Sequence, residues 1–171
     1  MFRKSLTLLV VTILLWAPVA SALAAQPGEV HTIHVYYGPG DVTVRSDEII
    51  RLRFGEATGH QLLTALWIHR FSQDYELNNV SLFSTSKEAN QYFGPIYDGG
   101  PNPQCPFTDT TWVSSWEYDL GPLAAGDYAL HVVHRLDRQT TDLCDGDANG
   151  IPDFYRGQLL NRIITIHVVN E

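Results

Sequence analysis

Apolar and polar residues alternate with a period of two through most of the chain. That pattern predicts strands, because successive side chains of an extended backbone leave on opposite faces. Residues 31–37 set Ile33, Val35 and Tyr37 against Thr32, His34 and Tyr36. Gly38-Pro39-Gly40 turns the chain into residues 42–44, and residues 48–54 then set Ile50, Leu52 and Phe54 against Arg51 and Arg53. Further on, Trp112, Trp116, Tyr118 and Leu120 share one face of residues 112–120. Residues 127–136 and 161–169 supply two closing strands, the second with Ile164, Ile166 and Val168 alternating with Ile163, Thr165 and His167. Leu62, Leu63 and Leu66 instead fit one helical face, which predicts a short helix over 59–66 feeding a strand over 67–71. Asn78-Asn79 predicts a tight hairpin, since Asn tolerates the left-handed backbone such turns need. Residues 84–111 show no period and read as one long loop rich in proline and aromatic residues.

About seven or eight short strands, with one short helix and long loops, predict an all-β fold, arranged as an antiparallel sandwich. A closed barrel is the alternative. Residues 123–130, Leu-Ala-Ala-Gly-Asp-Tyr-Ala-Leu, resemble the corner that precedes a late strand in immunoglobulin-like and fibronectin III-like domains. The resemblance implies an immunoglobulin-like sandwich in which the Tyr128 hydroxyl bonds back to nearby backbone.

The N-terminus breaks the strand pattern. Met1-Phe2-Arg3-Lys4 precedes an apolar run over 6–16, Pro18 interrupts it, and Ala22-Leu23-Ala24 offers small residues at the two positions a signal peptidase reads. This predicts a signal peptide over 1–24 and a single secreted domain over 25–171, secreted or held outside the cytoplasm in the periplasm or at the cell surface. A retained anchor is the other reading of the apolar run. Removing 24 of 171 residues leaves 147, ample for one hydrophobic core. The 11 basic residues fall to 9 without Arg3 and Lys4 against 19 acidic ones, so the formal charge moves from −8 to −10. Such a surface repels nucleic acid and anionic lipid and attracts cations. Export also gives the only two cysteines, Cys105 and Cys144, an oxidising compartment, and a disulfide between them follows.

The segment 142–153 carries the clearest chemistry. Oxygen ligands recur at every second residue in Asp145, Asp147 and Asn149, Gly150 permits a sharp turn, Ile151 offers its backbone carbonyl and Asp153 a further carboxylate. Calcium takes six to eight hard oxygens in such loops. Four aspartates between 142 and 153 also repel one another and call for a counterion. The loop resembles the calcium loops of EF-hand, dockerin and thrombospondin type 3 modules, with calcium as the implied cofactor and Asp145, Asp147, Asn149, Ile151 and Asp153 as the implied ligands. The twelfth position from Asp145, acidic in those families, is Arg156 here, so the shell needs water or another side chain.

Other chemistries are poorly supported. His31/His34 and His131/His134 are each spaced by three, which sends the rings to opposite faces of a strand. No His-Glu-x-x-His helix, Gly-x-Ser-x-Gly elbow, phosphate loop or basic aromatic patch occurs, and no catalytic residue is singled out. Tyr92, Phe93, Tyr97, Trp112, Trp116 and Tyr155 lie on or beside the long loops, where they either pack down or stack on a ligand such as a sugar ring.

Residues 116–121 (Trp-Glu-Tyr-Asp-Leu-Gly), the 123–128 corner and residues 147–155 together resemble the second half of uncharacterised exported bacterial β-sandwich proteins. That resemblance covers roughly 112–169 and implies compartment and fold, not an activity. The expectation is a secreted, calcium-stabilised, non-catalytic monomer acting in adhesion, cell-surface architecture or ligand binding. Its partner would be an extracellular glycan or protein surface. The alternative is a secreted hydrolase or carbohydrate-binding protein, recognisable by carboxylates gathered around a concave aromatic pocket.

Overall fold

The computed structural model describes residues 28–170; the predicted signal peptide lies outside them. In chain order the elements are β1 (Val30–His34), β2 (Asp41–Arg45), β3 (Ile49–Thr58), α1 (Gln61–Arg70), β4 (Phe71–Leu77), β5 (Val80–Ser81), α2 (Ser86–Ala89), β6 (Tyr97–Gly100), β7 (Thr111–Gly121), β8 (Gly126–Thr141) and β9 (Phe154–Val169). The protein is all-β in class, with strands in two sheets ordered β1-β3-β7-β6 and β2-β9-β8-β4-β5.

Both sheets are mixed, which corrects the antiparallel expectation. β1 runs parallel to β3 and β2 parallel to β9, while the other pairings are antiparallel. The cause is the turn at Gly38-Pro39-Gly40. It carries the chain from the edge of one sheet to the edge of the other rather than folding β2 back on β1 as a hairpin. Period-two alternation reports which face is buried and says nothing about a strand's direction relative to its neighbour.

The sheets meet across one apolar core. Ile33, Ile50, Leu52, Phe54 and Trp116 from the first sheet face Val44, Tyr75, Leu130, Val132, Ile164 and Ile166 from the second, all buried. The inward faces predicted for β3 and β9 are therefore the observed ones. Tyr37, expected to continue the face of Ile33 and Val35, is instead 95% exposed because the strand ends at His34 and the chain turns there.

The helix is longer than predicted and buries another face. α1 takes in Trp67 and Ile68, expected in a strand, and its buried residues are Thr64 and Trp67, with Leu62 left exposed. His60 caps it by accepting the Leu62 amide on Nδ1 (3.2 Å), and the Thr64 hydroxyl bonds the Thr58 hydroxyl (2.8 Å) and the Trp112 carbonyl (3.0 Å). These polar anchors pull the Thr64/Trp67 stripe inward against the leucine periodicity. The 84–111 segment is also more structured than a loop, holding α2, a 3-10 turn over Asn90–Tyr92, and β6. The hairpin at Asn78-Asn79 forms as expected, with φ of 50° and 63°. The Tyr128 hydroxyl donates to the Ala124 carbonyl at 2.9 Å, the corner bond expected of it.

Candidate functional site

On β3 the inward face that buries Ile50, Leu52 and Phe54 continues, two residues on, to Glu56. A carboxylate thus stands where the pattern calls for an apolar side chain. It opens into a cavity of about 450 Å3 whose lining includes Tyr36, Glu56, Trp67, Gln104, Asp142 and Tyr155, with the Cys105–Cys144 disulfide in one wall. A second cavity of about 470 Å3 adjoins it and shares Tyr36, Tyr37 and Glu56.

Each wall is held by contacts distant in sequence. Arg162 of β9 donates to the carbonyls of Val35 (3.2 Å), Tyr36 (3.1 Å) and Gly38 (3.0 Å), fixing the turn that presents Tyr36 and Tyr37. Tyr36 is also tied to the core, its hydroxyl 3.0 Å from His134 Nδ1, while the Tyr75 hydroxyl lies 2.8 Å from His134 Nε2. Trp67 comes from α1 and meets Tyr155 edge-on, with ring centres 5.3 Å apart. The disulfide forms as expected (S–S 2.01 Å), and beside it the Asp145 amide donates to the Gln104 carbonyl at 2.7 Å. At Gly59 an added Cβ would lie 2.4 Å from Thr108 Cγ2, and the Gly59 amide donates to the Asp142 carbonyl (2.6 Å), so backbone segments close directly on one another there.

The electrostatics of the pocket follow from burial. Loss of water around the Glu56 carboxyl raises its pKa to about 8, helped by the nearby Asp142 charge and opposed by the Trp67 indole and the Ala57 amide. Asp142 is also raised, by desolvation first, against the Cys144 amide and the Tyr155 hydroxyl, which favour its charge. The Tyr36 and Tyr155 hydroxyls are pushed well up by burial and by the neighbouring carboxylates, so both remain protonated. Trp67 is 3% exposed, and its indole N–H, although beside Glu56, has no hydrogen bond of proper geometry among the described residues. Burial alone lowers His134 to about 3, so it sits neutral between its two tyrosines.

These shifts set a pH profile for stability. Glu56, raised in the fold, contributes stability that is present below its ordinary 4.5 and is lost as pH rises through about 8. His134, depressed in the fold, contributes stability present above its ordinary 6.5 and lost as pH falls toward about 3. Between 4.5 and 6.5 the two proton differences cancel, so thermal stability should be greatest there. Scanning calorimetry across pH should show Glu56→Gln flattening the alkaline limb and extending the acid limb up to about 6.5, where the His134 difference is no longer cancelled. An alkaline limb unchanged by that substitution would remove Glu56 as its cause.

The expected calcium ligands occupy the β8–β9 connection, against the same pocket. Asp145 accepts the amides of Asn149 (2.9 Å) and Gly150 (2.8 Å) on separate oxygens. Burial raises Asp145 but these backbone donors outweigh it, holding the carboxyl below its usual range. Asp147 accepts from Asn149 Nδ2 (2.9 Å), Asn149 Oδ1 from the Ile151 amide (2.9 Å), and Asp153 from the Gly146 amide (2.8 Å). Ala148 at φ 57° and Gly150 at φ 87° fold the segment back on itself. The donor set is all hard oxygen, and an oxygen accepting one amide keeps a lone pair, so its chemistry suits calcium. Among the described residues no group of three or more His, Cys, Asp or Glu side chains is gathered as a metal centre, and the loop oxygens face backbone amides.

Sequence reasoning singled out Tyr155 but not Glu56, Trp67, Asp142 or Tyr36 as pocket residues. The signal for Glu56 was its place on the inward period of β3. Of the other loop aromatics, Phe93 packs with Phe54 and Phe71 and closes the core, while Tyr92 lies against Phe83 and Tyr118 with 42% of its surface exposed. No protein-family model, curated protein or solved structure matches the chain.

Proposed function

We propose that the chain is an extracytoplasmic, calcium-stabilised, non-catalytic module, immunoglobulin-like in plan, that binds a ligand in the Glu56–Trp67–Tyr155 pocket. One observation carries this reading. Two desolvated carboxyls, a buried indole N–H with no closed bond and several aromatic rings converge on a single concavity of about 450 Å3. Aromatic side chains with convergent polar groups in a concavity of this size are a usual form of a small-molecule site. The signal-like N-terminus and the disulfide support an oxidising, extracytoplasmic compartment.

Calcium would be held by Asp145, Asp147, Asn149, the Ile151 carbonyl and Asp153, and would order the wall that the disulfide joins to the pocket. Binding to the folded state alone stabilises it by about 2.7 kcal/mol at a hundredfold excess over Kd. The melting temperature of the chain from residue 25 onward is therefore expected to rise with calcium but not with an equal amount of magnesium, and Asp147→Ala should abolish the rise. Equal melting curves with calcium and with chelator would reduce the loop to an acidic turn. The pocket itself is tested by titrating a panel of soluble mono- and oligosaccharides while following tryptophan fluorescence, with Trp67→Phe identifying the reporter.

A second reading, a secreted hydrolase acting on glycans, is favoured by the mark expected of it, carboxyls gathered around a concave aromatic pocket, and by one property of those carboxyls. Glu56 holds its proton at neutral pH beside Asp142, the pairing of a proton donor with a second carboxylate that glycoside hydrolysis uses. Release of chromophore from aryl glycosides, lost in Glu56→Gln, would move the assignment to this class.

A further inference from the structure

Resting on the ligand-pocket reading above, we propose that the pocket takes a small organic cation, a protonated amine or quaternary ammonium group. The cation would sit among the rings of Tyr36, Trp67 and Tyr155 against the carboxyls of Glu56 and Asp142.

The lining is acidic and aromatic and includes no Lys, Arg or His. Of the basic side chains near it, the two arginines are engaged elsewhere, and His34 lines the adjoining cavity and not this one. Arg162 spends its guanidinium on the carbonyls of Val35, Tyr36 and Gly38, and Arg53, which lines the adjoining cavity, lies 3.3 Å from Glu117. Two carboxyls taken from water with no cationic partner among the described residues are at a disadvantage that a neutral ligand leaves in place and a cation removes. Aromatic faces add attraction for a cation, stronger where water is excluded. The net charge of −8 on the chain draws cations toward the surface over a longer range.

The unclosed indole bond points the same way. Trp67 Nε1 is buried, lines the cavity, stands beside Glu56 and lacks a formed hydrogen bond among the described residues. A protonated carboxyl is a weak acceptor for it, and an ionised one is a strong acceptor. A cation in the cavity stabilises the ionised form of Glu56 and gives the Trp67 N–H the acceptor it lacks.

The test is calorimetric titration of the chain from residue 25 onward at constant ionic strength with two charged probes, choline and glucosamine. Each is paired with a neutral counterpart, the carbon isostere of choline and glucose. At least one charged probe is expected to bind more tightly than its counterpart, and Glu56→Gln should weaken it by about tenfold or more, the usual worth of a hydrogen-bonded charge. Trp67→Phe, which keeps a ring but removes the donor, should weaken it less. Asp142→Asn provides a second charge deletion if Glu56→Gln fails to fold. Binding of glucose or the carbon isostere as tightly as the charged probes overturns the cation assignment and leaves the pocket reading standing. Silence from all four probes also overturns it, and if no saccharide of the wider panel binds, the pocket reading falls with it.

Discussion

Replacing Trp116 by alanine is expected to lower the unfolding free energy by about 3–5 kcal/mol, a third or more of what a domain of this kind possesses. Trp116 has no exposed surface and sits where the two sheets touch. Its ring stacks on Tyr75 of β4, with centres 5.0 Å apart and planes 12° from parallel, and on Phe54 of β3 at 5.2 Å and 28°. Phe83 and Tyr92 meet its edge. Removing the indole leaves a cavity bounded by rings from both sheets, and rings fixed on separate strands collapse poorly into such a space. The polar part is separable. Trp116 Nε1 donates to the Ala89 carbonyl at 2.7 Å, so Trp116→Phe keeps most of the packing and loses that bond, at a cost of about 0.5–1.5 kcal/mol. Urea unfolding of the two variants gives the comparison. If the alanine variant's midpoint moves no further than the phenylalanine variant's, the rings do not bridge the sheets in the way described.

The second large effect is expected from the double substitution Cys105→Ser/Cys144→Ser. The bridge joins residues 39 apart, and releasing a loop of that length returns conformational freedom to the unfolded chain worth about 4 kcal/mol. In a domain of this size that corresponds to a fall in melting temperature on the order of 10 °C. Function should suffer too. The bridge joins the strand-poor stretch before β7 to the connection between β8 and β9, and those two segments carry Gln104 and Asp142 into the pocket. Every titration that reads the pocket should therefore weaken in the double variant, even at temperatures where it remains folded. Adding reductant to the unmodified protein should reproduce both changes. A melting temperature insensitive to reductant would show that the surrounding contacts, such as the Asp145 amide on the Gln104 carbonyl, hold the two segments without the bridge.

The amino-acid pattern alone shows which residues face inward on the long strands, because that depends only on the alternation of side chains along an extended backbone. Ile50, Leu52 and Phe54, and likewise Ile164, Ile166 and Val168, lie buried as their pattern requires. It also determined features set by local backbone chemistry: the Asn78-Asn79 turn, the Tyr128 corner and the folded-back acidic loop with its cysteine neighbour. The rest follows from contacts across the fold, since direction and partnership are long-range properties. The parallel placing of β1 and β2 depends on where a turn lets the chain cross between sheets, which alternation does not encode. The length and face of α1 depend on Thr58, Trp112 and the core awaiting Trp67, and these outweigh a leucine spacing worth little without something to pack against. The pocket is the clearest case. Tyr36, Glu56, Trp67, Asp142 and Tyr155 come from five separate stretches of chain. Tyr155 was legible as an aromatic beside the acidic loop, and Glu56 carried a local signal as a charge on an inward face, but what raises the Glu56 pKa is the company it keeps across the fold.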